Sequence, residues 1–152
     1  MLRGASTISL DSKNRITIPT KYREELLRDC DGKMICTIDI QHDCLLLYPL
    51  PAWEEIELKL CQLSSMNAQE RMLQQVLLGN ATECDMDKNG RLLLSSPLKM
   101  HAGLDKNIRL VGLLNKFEIW NESKWQAHLQ AGIEELKTGD SELSERLLDL
   151  SL

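Results

Sequence analysis

The chain has 152 residues, 43% of them hydrophobic and 27% charged, with a formal net charge of −5. That length supports one ordinary domain, or two small packed ones, with a real core, and no apolar run approaches the length of a membrane span. The negative total argues by itself against a nucleic-acid partner, but it says little about where the charge sits.

In chain order, residues 5–10 alternate polar and apolar, as a half-buried strand does. Asp11 to Asn14 form a tight polar turn, Arg15 to Ile18 resume a β-prone run, and Pro19 ends it. Thr20 is the expected N-cap of a short helix, Lys21 to Arg28, that turns Tyr22, Leu26 and Leu27 inward. Residues 33–40 and 44–48 predict two antiparallel strands around a turn at Gln41, His42 and Asp43. Leu50-Pro51 opens a helix with Trp53, Ile56, Leu60 and Leu63 on one face. A further helix runs from about Asn67 to Leu78, with Gly79 as its stop.

The second half repeats this plan. Residues 80–86 predict a strand, Asp87 to Gly90 a turn and Arg91 to Leu94 a strand. Ser95-Ser96-Pro97 opens a short helix, 107–114 and 116–120 are paired strands, and a last helix holds Trp125 and Leu129. The two turns lie 76 residues apart, whereas Tyr48 and Trp53 correspond to Trp120 and Trp125 at 72. Loop-length variation accounts for that mismatch, so we read a duplicated β-α-β-β-α unit and an α+β fold. The domains expected are 1–79, 80–136 and an acidic tail, 137–152, in which Ser144 to Leu150 form a loose helix.

Each turn opens with Asp and closes with Arg four residues on. The Asp can accept hydrogen bonds from turn amides, and Asn14 and Gly90 tolerate positive φ. The Arg can fold back on the Asp, or point outward, where its fork suits phosphate or the guanine edge. Residues 1–28 carry six Lys or Arg against three acids, and residues 133–152 carry two against six. Residues 83–105 hold three cations against four acids, so the first turn is the expected principal contact and Arg91 is secondary or structural. The three Trp are expected in the core rather than stacked on bases.

Cys30, Cys36, Cys44, Cys61 and Cys84 form no C-x-x-C and have no His at zinc spacing, so all five read as reduced and structural, with no metal and no cofactor. With no apolar leader, the expected setting is cytoplasmic. His42, His101, His128, Asp43 and Cys44 are the only enzyme candidates, and none has a recognisable local signature. The expectation is that the chain is not an enzyme.

The pattern Leu10-Asp11-x-Lys13-x-Arg15-Ile16-x-Ile18-Pro19, with its following helix, resembles the AbrB-type swapped-hairpin DNA-binding module. With Met1-Leu2-Arg3-Gly4-Ala5, Ile38-Asp39, Leu46-Leu47-Tyr48-Pro49 and Asn115-Lys116-Phe117-Glu118-Ile119-Trp120, the whole chain resembles the MraZ family of bacterial transcriptional regulators, which carry two such modules. The resemblance implies a β-rich, double-psi or swapped-hairpin-like barrel with packed helices, built from two interleaved halves. It implies a ring-shaped homo-oligomer that represses the cell-division and cell-wall gene cluster by binding tandem repeats in promoter double-stranded DNA, and a nucleoid-associated location. The family's Asp-x-x-x-Arg positions map onto Asp11 and Arg15, and onto Asp87 and Arg91, with Asn14 where glycine is common. The DNA-binding residues expected are Arg3, Asp11, Lys13, Asn14, Arg15, Lys21, Arg23, Asp87, Lys88 and Arg91. The competing reading is an oligomeric assembly or interaction protein whose turns serve only the fold.

Overall fold

A computed structural model describes residues 1–139 and 143–151, so Asp140 and Glu142 of the acidic tail lie outside the described residues. The chain divides into two compact units, Met1–Glu122 and Ser123–Leu152. The first contains β1 (Leu2–Ser9), β2 (Arg15–Thr17), α1 (Thr20–Cys30), β3 (Met34–Ile38), β4 (Leu45–Pro49), α2 (Leu50–Leu60) and α3 (Ala68–Gly79). It continues through β5 (Thr82–Glu83), β6 (Arg91–Leu93), α4 (Ser96–His101), β7 (Asn107–Leu114) and β8 (Phe117–Asn121). The second unit holds α5 (Glu122–Thr138), which starts at the boundary residue, and α6 (Glu145–Leu148), capped by Ser144.

The architecture is α+β with an antiparallel sheet. Six strands run in the order β1-β7-β8-β4-β3-β5, while β2 and β6 form a separate two-stranded ribbon. Strands of the first half pair with strands of the second: β1 with β7, β2 with β6, β3 with β5 and β4 with β8. The expected barrel is not closed among the described residues. The sheet ends at β1 on one side and at β5 on the other, and β5 has only two ladder residues.

That short β5 also corrects the strand expected over 80–86. The chain stays extended, with the Cys84 amide donating to the Met34 carbonyl and the Met86 amide to the Gly32 carbonyl, both at 2.8 Å. β3 begins only at Met34, because Asp31 and Gly32 before it both take positive φ and interrupt the ladder.

Period-two alternation sorts the side chains into two cores. Met34 and Cys36 of β3 join the larger one, with Ile16, Leu26, Leu47, Leu92 and Phe117. Ile35 turns the other way, with Leu46, Tyr48 and Trp53, where Ile56 and Leu77 of α2 and α3 pack against them. Trp53 and Trp120 are buried, as core packing requires, whereas Trp125 is only half-buried. Replacing a buried Trp such as Trp53 with Ala costs about 3–5 kcal/mol.

Helix α1 departs from expectation twice. Thr20 is its first residue rather than its cap, and Pro19 precedes it with no side-chain cap bond. Tyr22 and Leu26, four apart, share the buried face, whereas Leu27 is a further 100° around and is 52% exposed. The cysteines divide similarly: Cys36, Cys44 and Cys84 are buried, while Cys61 is exposed and packs in no core.

Candidate nucleic-acid interface

The two turns are built by the same bonds. Asp11 Oδ1 accepts from the Lys13 and Arg15 amides at 2.8 and 2.9 Å, and Oδ2 accepts from Arg15 Nε at 2.8 Å. Asp87 Oδ1 accepts from the Asn89 and Arg91 amides at 2.8 and 2.9 Å, and Oδ2 from Arg91 Nε at 3.0 Å. Asn14 and Gly90 sit at φ 61° and 78°, the left-handed region each turn needs. The Arg15 amide, ahead of its guanidinium, holds the Asp11 carboxyl below its ordinary range, and the Arg91 amide does the same for Asp87.

Each Arg therefore both folds back and points outward. Its Nε is spent on the Asp, which fixes the plane of the fork. The terminal guanidinium nitrogens make no further bond among the described residues, and the side chains are 29% and 34% exposed. A planar fork oriented by a carboxylate and still carrying free N–H donors suits a phosphate or a base edge.

The antiparallel ribbon sets the two turns at its opposite ends and brings the two arginines onto one face. Arg15 pairs with Leu93, Ile16 with Leu92 and Thr17 with Arg91. Beyond the ladder, the Leu94 amide donates to the Asn14 carbonyl and the Ile18 amide to the Gly90 carbonyl. Ile16 and Leu92 are fully buried, so the intervening side chains form one outward face.

Each turn also takes a cation from the other half. Lys99 of α4 donates from Nζ to Asn14 Oδ1 at 3.1 Å. Arg23 of α1 donates from Nε to the Ile18 carbonyl at 2.8 Å, and its guanidinium lies so close over Gly90 that a Cβ there would overlap it. Lys99 thus belongs to the first turn and Arg23 to the second, an exchange of one cation for one that leaves the charge sum of each turn as the sequence reads it.

Of the expected site residues, Asp11, Lys13, Asn14 and Arg15 are together in the first turn, and Asp87, Lys88 and Arg91 in the second. Arg23 joins the second turn rather than its own half's. Arg3 sits at the far end of β1, roughly 26 Å along an extended strand from Asp11. Its carbonyl accepts from the Tyr22 hydroxyl, and the Lys21 ammonium lies 4.8 Å from the centre of the Tyr22 ring, so Lys21 shares that distant end. Sequence reasoning omitted Lys99. The signal was available, since Lys99 stands 76 residues after Arg23, the spacing of the turns.

Among the described residues, one group has ligand atoms close enough for a metal: Asp39, Cys44 and Glu118, within 4.8 Å of one another. Burial, then the neighbouring carboxylates, push the Cys44 thiol far above its ordinary range. It holds its proton and donates to Asp39 Oδ2 at 3.4 Å. Strand pairing makes this group, so residue spacing could not reveal it. His42 stands against Trp120 and His128 against Trp125, with ring centres 5.9 and 6.2 Å apart.

The fold and the turns define a mixed helix-and-sheet protein that presents two carboxylate-oriented arginines on one ribbon. One family model, described as "MraZ protein, putative antitoxin-like", matches it twice, over residues 1–76 and 77–147. Among curated proteins, the chain is 70% identical to one from Colwellia psychrerythraea, 62% to one from Pseudoalteromonas atlantica and 58% to one from Escherichia coli, each over the full length of both chains. All three are named Transcriptional regulator MraZ. The chain belongs to the MraZ family. Among the described residues no helix is long and apolar enough to cross a membrane.

Proposed function

We propose that this chain is a sequence-specific DNA-binding transcriptional regulator, a repressor of the cell-division and cell-wall gene cluster, that holds promoter repeats through its two Asp-x-x-x-Arg turns. The observation that carries the reading is the pair of Nε-anchored arginines on one outward face, with Lys13, Lys88, Arg23 and Lys99 around them. A two-stranded ribbon fits the DNA major groove, and outward cations neutralise phosphates at its rims. The crosswise strand pairing and the twice-matched family model support two swapped-hairpin modules, 1–79 and 80–136, with 137–152 as an acidic tail. A ring-shaped homo-oligomer would multiply a modest affinity per module on tandem repeats.

A second reading, an assembly protein with structural turns only, draws on the apolar side chains that α5 leaves in water, Leu129, Ile133 and Leu136. One experiment separates the two. Wild type and Arg15→Ala are titrated against a duplex carrying the protein's own upstream region, at two salt concentrations. Salt-dependent binding that Arg15→Ala weakens, with the oligomer intact, supports the regulator. No binding by folded wild type removes it.

A further inference from the structure

The outward face of the β2–β6 ribbon is not symmetric, although its frame is. Positions 15 and 91, and positions 17 and 93, are equivalents at the spacing of the turns. Arg occupies both members of the first pair. Thr17 and Leu93 occupy the second, and the ladder places Leu93 beside Arg15 and Thr17 beside Arg91.

Leu93 is 61% exposed, while its neighbours Leu92 and Leu94 are 0% and 1% exposed. An aliphatic side chain thus stands in water on a face whose other ribbon positions are Arg15, Arg91 and Thr17. Thr17, its counterpart, shows that a polar residue fits the frame there. Only one apolar group lines the major groove, the C5-methyl of thymine. Cations on either side of Leu93 would be neutralising phosphates or reading base edges when it reaches the groove floor, so it would lose water against a methyl group.

We propose that Leu93 is a specificity-determining residue that packs on a thymine methyl, and that Thr17 meets a different base at the equivalent place. The ribbon then reads an asymmetric sequence in one fixed orientation, despite its two-fold frame. This rests on the DNA-binding reading above.

The test uses the full chain and a randomised duplex pool. Wild-type protein selects its preferred duplex, and each thymine in that duplex is replaced in turn by deoxyuridine, which pairs identically but lacks the methyl. One position is expected to cost wild type about fourfold in affinity, the value of a buried methyl-sized contact. Leu93→Met should keep that sensitivity. Leu93→Thr should lose it while retaining the salt dependence. A flat deoxyuridine scan for wild type, or an unchanged scan for folded Leu93→Thr, overturns the assignment. So does a Leu93→Thr protein whose oligomer falls apart, which would make Leu93 a subunit contact. Should wild type show no salt-dependent binding to any duplex in the pool, the DNA-binding reading itself fails and this one with it.

Discussion

The first and second turns share every bond that shapes the backbone and differ in nearly every side chain that faces water. Both have the Asp, the two amide donors, the Arg Nε bond and the left-handed fourth residue. Against that common frame, Ser12 is matched by Lys88, Lys13 by Asn89, Asn14 by Gly90, Thr17 by Leu93 and Lys99 by Arg23. The difference separates two kinds of constraint. Turn amides and positive φ allow few residue types, whereas the outward positions are free to follow whatever they touch.

The sharpest way to break the equivalence is to remove one arginine at a time. Arg15→Ala and Arg91→Ala are each expected to weaken DNA binding about tenfold to a hundredfold, the range for losing a bidentate base or phosphate contact. Equal losses in a titration at fixed salt would mark the turns as equal partners. A loss confined to Arg15→Ala would bear out the ranking that the sequence suggests.

Next comes the left-handed position. Gly90→Ala is expected to lower stability by about 1–2 kcal/mol through backbone strain, and the new Cβ would displace the Arg23 guanidinium. Asn14→Gly should change it by only a few tenths of a kcal/mol, since both residues accept that conformation. Urea midpoints measure both, and a near-silent Gly90→Ala would show that position 90 does not hold the left-handed conformation.

The borrowed cations give a smaller effect. Lys99→Ala and Arg23→Ala should each lower the slope of log K against log salt by about 1. In a double-mutant cycle, Lys99→Ala should couple to Asn14→Ala and add independently to Arg91→Ala. Coupling to Arg91 instead would contradict the crossed arrangement.

The smallest expected effect is on pH dependence. Asp11 and Asp87 have lowered pKa values in the folded chain. Their contribution is therefore complete above the ordinary carboxylate value of about 3.9 and is lost as pH falls through the folded values. The double variant Asp11→Asn and Asp87→Asn should show a shallower acid limb in urea midpoints measured below about pH 5. An unchanged limb would assign acid sensitivity to other carboxylates.

The turns and the order of elements were legible because their signals are local. Asp–Arg spacing, alternation and proline or glycine punctuation act within a few residues. Leu27 was misplaced because adjacent apolar residues on a helix do not share a face, and burial selected Leu26. The crossing of Lys99 and Arg23, the short β5 and the Asp39–Cys44–Glu118 group all depend on which strand lies beside which. No local pattern encodes that, so summing charge along the chain assigned cations to the wrong turn.

The β1–β7 ladder, from Leu2↔Leu114 to Ser9↔Asn107, has a consequence for synthesis. A ribosome adding roughly 5–20 residues per second makes Leu114 about 6–22 s after Leu2. For that interval the first strand has emerged without its neighbour, as an open edge. The N-terminal half cannot complete its sheet until β7 and β8 of the C-terminal half have been made. Ribosome-arrested chains that stop before Asn107 should remain protease-sensitive, and those extended past Asn121 should become resistant.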